Sequence, residues 1–233
     1  MIPVLSVEKI AQYIDHTNVK ADATRAQIKT LCEEAVEYHF HSVCVTPYRV
    51  REAKDFLAGA KVDIICVVGF PFGFTTTNEK INEARTAVAD GATEIDMVAN
   101  IGAIKEGNFD FIEAEIGRIA KAISPVGLKV IVEIGFLSPE ELSECCRRAQ
   151  RAGAAFVKTS TGYGPRTPTV EDIRIMRESV GKEMGVKASG GIHTFEQANK
   201  MISAGATRIG TSSALQIIGV ETPPKKDLSG SQE

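Results

Sequence analysis

Two lysines stand where short apolar segments end. Lys158 follows the apolar stretch Ala154–Val157 and precedes the polar segment 159–164, and Lys187 follows a second, shorter apolar stretch. An amine held in a low-dielectric environment beside another cation loses affinity for its proton, and such a lysine can act as a Schiff-base nucleophile. We therefore expect Lys158 to be a nucleophile with Lys187 as the second cation. A salt-bridged lysine or a phosphate ligand is the alternative.

Carboxylates also lie at predicted strand ends. Asp15 follows the first predicted strand, Asp96 lies in the fourth and Glu133 ends the fifth. Ionised side chains are almost never fully buried without partners, so acids and lysines at one end of a sheet would pair. A structural ion pair is the alternative for any one acid, but several acids with two lysines favour a catalytic cluster. Cys44, in the second predicted strand, either lines the pocket or is a small buried residue.

Two late segments have the composition of a phosphate site. Gly190 and Gly191 follow the seventh predicted strand, and Ser212 and Ser213 follow the eighth and open the last predicted helix. Glycines let the backbone approach an anion closely, and amide groups at the start of a helix can bind it. In barrel enzymes the loops after strands 7 and 8 often form such a site. A phosphorylated substrate is therefore expected, although either segment alone could be a plain turn.

Histidines and cysteines give no metal or cofactor signature. His39 and His41 precede the second predicted strand and are expected at the opposite end of the sheet, whereas His16 and His193 could face the site, with His16 ordering the loop around Asp15. No metal-binding motif links them. The five cysteines lack Cys-x-x-Cys spacing, which argues against a disulfide framework or zinc ribbon and fits a reducing, cytoplasmic location. We expect no metal and no cofactor.

Eight short apolar runs alternate with helix-like stretches, and this alternation must position the polar groups. The runs cover residues 13–15, 42–46, 62–68, 93–98, 128–133, 155–159, 185–188 and 207–211. Three similar segments, GATEIDM (91–97), GAAFVKT (153–159) and GATRIGT (205–211), each lead from a helix-ending glycine into a strand. Eight units in this length predict an α/β fold, a (β/α)8 TIM barrel. An open doubly wound sheet is the alternative, but it would usually carry a glycine-rich turn after its first strand.

Helix starts are marked by polar caps. Thr76 with Glu79 and Thr194 with Gln197 have the spacing of a capping box, and Asp22 could cap the first long helix. These positions predict where three of the helices begin.

Length and composition bound the remaining possibilities. The chain has 233 residues and a formal net charge of −3, so no basic excess favours nucleic acid or an anionic membrane. No segment has 18 consecutive apolar residues, and the first 15 residues do not resemble a signal peptide. We expect one barrel domain over residues 1–220 that begins with a short helix. The polar segment 221–233 is expected to be a disordered tail.

Six segments together resemble deoxyribose-phosphate aldolases. They are DHTNVKADAT (15–24), SVCVTP (42–47), VVGFPFG (67–73), EIDMVANIGA (94–103), FVKTSTGYG (156–164) and VKASGGI (186–192). The similarity extends from about residue 8 to about residue 219, and the Val-Lys-Thr-Ser-Thr-Gly segment is highly specific. The resemblance implies a class I aldolase that interconverts 2-deoxy-D-ribose 5-phosphate with D-glyceraldehyde 3-phosphate and acetaldehyde.

The resemblance also implies roles for individual residues. Lys158 matches the Schiff-base lysine of the family, Asp96 its proton-relay carboxylate and Lys187 the lysine that tunes the nucleophile. We expect Thr17 and Thr161 to position hydroxyl groups at the site. The predicted substrate-binding and phosphate-binding residues are Asp15, Thr17, Cys44, Thr161, Gly162, Gly190, Gly191, Ser212 and Ser213. The expected partners are a phosphosugar and acetaldehyde, and a second or further copies of the chain in a homodimer or homotetramer.

Two departures from the family pattern bear on the substrate. Tyr163 stands where some members carry a phosphate-binding lysine, and residues 221–233 lack the tyrosine with which the tail of some members ends. Phosphate contact should then depend more on Gly190 and Ser212 and their neighbours. A transaldolase-like enzyme and a non-catalytic phosphosugar-binding barrel are the competing functions.

Overall fold

The computed structural model describes residues 5–220, and these form a closed barrel of eight parallel strands in which β8 pairs with β1. The strands are β1 (Ile14–Asn18), β2 (Ser42–Val45), β3 (Asp63–Val68), β4 (Glu94–Val98), β5 (Gly127–Ile131), β6 (Phe156–Lys158), β7 (Gly185–Ser189) and β8 (Arg208–Thr211). This confirms the predicted (β/α)8 barrel, including all eight strands. The predicted tail, residues 221–233, lies outside the described residues.

Ten α-helices accompany the strands in residues 5–220. They are α1 (Val7–Ala11), α2 (Arg25–Glu37), α3 (Val50–Phe56), α4 (Thr77–Asp90), α5 (Ile101–Lys105), α6 (Phe109–Ile123), α7 (Pro139–Arg151), α8 (Val170–Val180), α9 (Phe195–Ser203) and α10 (Ala214–Ile217). The short first helix was expected. Of these helices, none is long and apolar enough to cross a membrane.

Two of the three predicted helix caps are confirmed. Thr76 caps α4, and Thr194 forms a complete capping box with Gln197 at the start of α9. Asp22 does not cap α2, because the chain turns into the helix two residues later. Thr24 accepts the hydrogen bond that caps it there.

The two faces of the barrel wall carry different residues, because successive side chains of a strand point to opposite sides. Outward positions such as Ile95, Met97 and Val157 are fully buried in the apolar core. Inward positions hold most of the buried charge. The inward-facing residues include Asp15, Ser42, Cys44, Asp63, Ile65, Val67, Glu94, Asp96, Lys129, Ile131, Phe156, Lys158, Lys187, Ser189, Arg208 and Gly210. The parallel register sets Lys158 beside Lys187 and Asp96 beside Lys129.

Two predicted strand ends were wrong by a few residues, and both bear on the site. Asp15 lies inside β1 rather than after it, because β1 continues through the polar residues to Asn18. Glu133 lies two residues beyond β5, with the left-handed backbone angle φ +57°. The strand ladder stops at Ile131, and the chain turns sharply outward at Glu133 into a short 3₁₀ turn over 134–136.

Candidate active site

Lys158 and Lys187 converge on one carboxylate at the C-terminal ends of the strands. The Nζ atoms of both lysines donate to Oδ2 of Asp96, each at 2.8 Å. Asp96 and Lys187 are fully buried, and Lys158 retains 4 % of its surface. The three residues predicted to carry the chemistry therefore lie together, on β6, β7 and β4.

Lys187 is held by a second carboxylate. Its Nζ lies 2.5 Å from Oδ2 of Asp15, while Oδ1 of Asp15 accepts from Ser42 at 2.7 Å and from Arg208 at 2.9 Å. Lys187 thus bridges Asp15 and Asp96. Its side chain has room for this because Gly210 faces it. A Cβ at Gly210 would lie 2.9 Å from Cε of Lys187 and 3.0 Å from Cβ of Ser189.

The electrostatics of this cluster keep both acids ionised. Burial by itself would raise the pKa of Asp15, but the charges of Lys187, Arg208 and Lys129 outweigh it and lower that pKa to about 2. Burial also opposes ionisation of Asp96, yet nearby lysines, Lys158 first, hold its pKa well below the ordinary value. At neutral pH the cluster therefore contains two carboxylates.

Lys187 is fixed as a cation by the same contacts. Burial would lower the pKa of Lys187, but the negative charges of Asp15 and Asp96 outweigh burial and raise it. Lys187 therefore remains an ammonium group at neutral pH and keeps both carboxylates in place. This agrees with its expected place as the second cation beside Lys158.

Three charged residues that lie next to this cluster, toward the N-terminal ends of the strands, were not predicted. Lys129 lies 2.7 Å from Glu94 and 3.2 Å from Asp96, and Arg208 lies 3.3 Å from Glu94. Lys129 is inside an apolar run, and Glu94 and Arg208 each begin a strand. A signal was present, because Glu94 precedes Asp96 by two positions and therefore faces the same side of its strand.

Cys44 lies on the apolar side of the barrel interior. Its side chain is fully buried and clusters with Ile65 and Val67, and burial raises the pKa of its thiol. Cys44 is thus a small buried residue on the inner face of the barrel, and its contact with substrate stays a prediction.

The two predicted hydroxyl groups are occupied by local contacts. Thr17 donates to the backbone carbonyl of Asp15 at 2.9 Å. The amide of Thr161 donates to Oε2 of Glu133 at 3.0 Å, and its hydroxyl donates to the same oxygen. Glu133 therefore anchors the loop after β6, a partnership that no sequence pattern indicated.

The predicted phosphate residues lie on adjacent loops. Gly190 and Gly191 have φ angles of +96° and +69°, a conformation that glycine adopts without the strain other residues would suffer. A Cβ at Gly190 would lie 3.7 Å from Cα of Gly162, so the loops after β6 and β7 run close together.

The serines after β8 are less available than expected. The amide of Ser213 donates to the hydroxyl of Thr211 at 2.9 Å, and its own hydroxyl lies 3.0 Å from Nδ1 of His193. Ser212 is exposed. The amide of Ser213 is thus not a free anion donor, because the loop uses it internally.

The prediction that His16 orders the loop around Asp15 is wrong. Its Nε2 lies 2.6 Å from Oε2 of Glu34 on α2, outside the barrel wall, because it alternates with the inward-facing Asp15. His41 lies 3.5 Å from Asp63, the first residue of β3, at the opposite end of the barrel. Within residues 5–220, no three His, Cys, Asp or Glu side chains are arranged to hold a metal ion.

Tyr163 reaches across the mouth of the barrel. Its ring meets Phe70 edge-on, with centroids 5.7 Å apart, and its hydroxyl lies 3.5 Å from the carbonyl of Val19. Half of its surface is exposed. The residue in the position of a family lysine therefore links loops that follow β6, β3 and β1.

Comparisons with known proteins agree with this geometry. The family model described as "DeoC/LacD family aldolase" matches residues 9–220. The deoxyribose-phosphate aldolase of Aciduliprofundum boonei is 54% identical over 216 residues, which cover 92% of this chain and 97% of that protein.

Solved structures give the same result. A protein from Coccidioides immitis, provisionally named a deoxyribose-phosphate aldolase, has a TM-score of 0.90 and 40% identity, covering 93% of this chain and 87% of that one. The deoxyribose phosphate aldolase of Aeropyrum pernix, described as tetrameric, has a TM-score of 0.86 and 33% identity, with 91% of each chain covered.

Proposed function

The chain belongs to the DeoC/LacD family of aldolases, and from that premise we propose that it interconverts 2-deoxy-D-ribose 5-phosphate with D-glyceraldehyde 3-phosphate and acetaldehyde. The observation that carries this proposal is the sharing of Asp96 by the amines of Lys158 and Lys187 at the C-terminal end of the barrel. In barrels of this type, that end is where catalytic residues are found.

Lys158 is the nucleophile in this proposal. Its neutral amine attacks the carbonyl carbon of acetaldehyde, and the resulting carbinolamine loses water to give an imine. The positively charged imine nitrogen accepts electrons, so a proton leaves the methyl carbon and an enamine forms. The enamine carbon attacks the carbonyl carbon of glyceraldehyde 3-phosphate, whose oxygen takes up a proton. Water then hydrolyses the new imine, which releases the sugar phosphate and regenerates the amine; cleavage is the reverse.

Asp96 and Lys187 manage the protons of this sequence. Asp96 remains a carboxylate, because three lysines hold its pKa low, so it can accept a hydrogen bond from a water molecule or from the carbinolamine hydroxyl. Lys187 is held as an ammonium group and keeps that carboxylate oriented toward Lys158. Proton transfers of this kind need a group or a water molecule in a fixed position.

The phosphate group is bound by the loops that follow β6, β7 and β8. Gly190 and Gly191 present backbone amides, and their neighbours Gly162 and Ser212 lie on the adjoining loops. Because the amide of Ser213 is already used by Thr211, its contribution is limited to the hydroxyl. Tyr163 offers no positive charge at the position of the family lysine, so backbone groups carry more of the phosphate contact.

The proposal includes the pathway, the cellular compartment and the oligomeric state of the enzyme. The reaction serves the breakdown of deoxyribose phosphates in the cytoplasm, and five buried cysteines without a disulfide suit a reducing compartment. A homodimer or homotetramer is proposed, supported by the tetrameric description of the Aeropyrum pernix relative.

Reductive trapping tests the proposed function directly. The protein is incubated with acetaldehyde and sodium cyanoborohydride, and the alkylated peptide is mapped by mass spectrometry. We expect alkylation confined to Lys158. Lys187 and Lys129 serve as internal controls, because both approach Asp96 but are predicted not to be nucleophiles. The absence of an adduct on any lysine would refute the Schiff-base proposal. An adduct on another lysine in place of Lys158 would assign the nucleophile to that residue, and a ketose preferred over deoxyribose phosphate would favour a transaldolase-like enzyme.

A further inference from the structure

Six charged side chains inside the barrel form a closed ring of alternating sign, which we call the charge ring. Around it, Asp15 contacts Lys187, Lys187 contacts Asp96, and Asp96 contacts Lys129. Lys129 contacts Glu94, Glu94 contacts Arg208, and Arg208 returns to Asp15. The ionic distances in this circuit run from 2.5 Å to 3.3 Å.

Each cation of the charge ring bridges two carboxylates, and each carboxylate is bridged by two cations. The ring is therefore neutral by itself, with three positive and three negative members. Lys158 stands outside it as a fourth cation, and its amine contacts one carboxylate, Asp96, which the ring already neutralises. Lys158 thus shares its one carboxylate with two other cations, Lys187 and Lys129.

The other strands place one further acidic side chain on the inward face, Asp63 at the start of β3, which lies 3.5 Å from His41 at the opposite end of the barrel. β2 contributes Ser42 and Cys44, and β3 contributes the apolar residues Ile65 and Val67. β6 contributes Phe156 below Lys158. Glu133, beyond the end of β5, is engaged by Thr161 in the loop above.

The lower half of the ring is fixed by an aromatic side chain. The ring of Phe156 lies 5.5 Å from Nζ of Lys129 and 5.3 Å from Cζ of Arg208. Cations at such distances from an aromatic face are attracted to it. Phe156 therefore holds both cations in place beneath the catalytic groups.

We propose that Glu94, Lys129 and Arg208, none of which touches the reacting atoms, are positioning residues that complete a neutral charge ring and so make Lys158 the one cation free to give up its proton. This inference rests on the proposed function, because it assumes that Lys158 reacts as a neutral amine. Removing a ring cation leaves an uncompensated negative charge near Lys158, which should increase the affinity of its amine for a proton. Removing a ring carboxylate leaves an uncompensated positive charge, which should decrease that affinity.

The test is the pH at which trapping of acetaldehyde on Lys158 is half-maximal. In Lys129→Met we expect this midpoint to rise by about one pH unit, and in Glu94→Gln to fall by a similar amount, as expected for one charge removed at close range. The double variant Glu94→Gln/Lys129→Met loses one charge of each sign, so its midpoint should return to within roughly 0.3 of the wild-type value. Arg208→Lys keeps the charge and should leave the midpoint near that of the wild type.

The outcomes separate this inference from the function it rests on. If the wild-type protein forms no adduct, the proposed function fails. If the adduct forms but the single variants move the midpoint in the same direction, or not at all, the charge ring does not set the protonation of Lys158. Circular dichroism checks that each variant is folded. Should Lys129→Met fail to fold, the downward shift in Glu94→Gln and the unchanged midpoint in Arg208→Lys still decide the question.

Discussion

Two buried lysine clusters in this protein differ in how their charges are matched. Outside the barrel, Lys80 on α4 donates to Glu115 on α6 and to the carbonyl of Val98, both at 2.9 Å, and Thr77 donates to the other carboxylate oxygen at 3.1 Å. This outer pair, Lys80 and Glu115, is one cation with one anion. Inside the barrel, four cations share three carboxylates.

The difference shows in the effect of burial on each lysine. Burial lowers the pKa of Lys80, and its partner Glu115, with a smaller contribution from Glu83, only partly offsets this. Burial would also lower the pKa of Lys187, but two carboxylates outweigh it and the pKa is raised. The outer pair is thus a local contact that joins two helices, whereas the interior cluster contains one more cation than it has carboxylates.

The largest expected effect on turnover comes from removing the amine of Lys158, the cation in excess inside the barrel. Lys158→Leu should reduce turnover by more than about 10⁴-fold, because the covalent route is lost. The melting temperature should be unchanged or higher, since the variant removes the unmatched cation. Turnover with deoxyribose 5-phosphate and thermal unfolding are the measurements. Substantial turnover in the variant would place the nucleophile elsewhere.

Removing Lys187 should have the next largest effect on turnover. In Lys187→Met we expect a loss of about 10²-fold or more, because Asp96 loses one of its cations and holds the proton on Lys158 more tightly. Asp15 keeps Arg208 as a partner, so the variant should fold. The rate of trapping at fixed pH, measured alongside turnover, should fall in parallel; an unaffected trapping rate would contradict this account.

The outer pair should affect stability rather than turnover. Lys80→Met leaves Glu115 buried without its cation and should lower the free energy of unfolding by about 3–5 kcal/mol, with kcat of the folded protein changed by less than about twofold. The double variant Lys80→Met/Glu115→Leu should recover much of that loss. Urea unfolding gives the stability. A large fall in kcat would show that the outer pair also serves the site, through Val98 and its strand.

Acid should weaken the interior cluster over a defined pH range. The pKa of Asp15 is about 2 in the folded protein and about 3.9 when unfolded, so its stabilisation is complete above about pH 4. As the pH falls from 4 to 2, about 2 kcal/mol of unfolding free energy should be lost.

Two variants test whether Asp15 causes this loss of unfolding free energy. Asp15→Asn should flatten the decline in unfolding free energy between pH 4 and pH 2, because the titrating group is gone. Asp110→Asn, at a side chain that is 92% exposed, should leave the decline as in the wild type. If both variants decline equally, the acid sensitivity belongs to other groups.

Much of the fold could be predicted because its signals are local. Gly91, Gly153 and Gly205 each lead from a helix into a short buried strand, and eight such units in this length leave few alternatives to a barrel. The strand ends were less accurate, since β1 runs on through polar residues that face the interior rather than solvent.

The site could be predicted in part for the same reason. Lys158, Asp96 and Lys187 interrupt apolar segments and could be recognised along the chain. Glu94 carries only a weak local signal, its spacing of two residues from Asp96, and Arg208 carries none, because their contact depends on which strands face each other across the closed barrel. The internal use of the Ser213 amide by Thr211 likewise depends on the conformation of one loop.

Gly210 limits which side chains the barrel interior can hold next to Lys187. It contacts no reacting group, yet a methyl group there would displace the side chain of Lys187 or Ser189, and Lys187 cannot move without leaving two carboxylates. In a saturation mutagenesis experiment this position should therefore tolerate glycine alone, although its backbone conformation is open to any residue. Directed evolution of the enzyme toward new aldehydes would have to leave this space unfilled and substitute instead the apolar inner residues of β3, Ile65 and Val67.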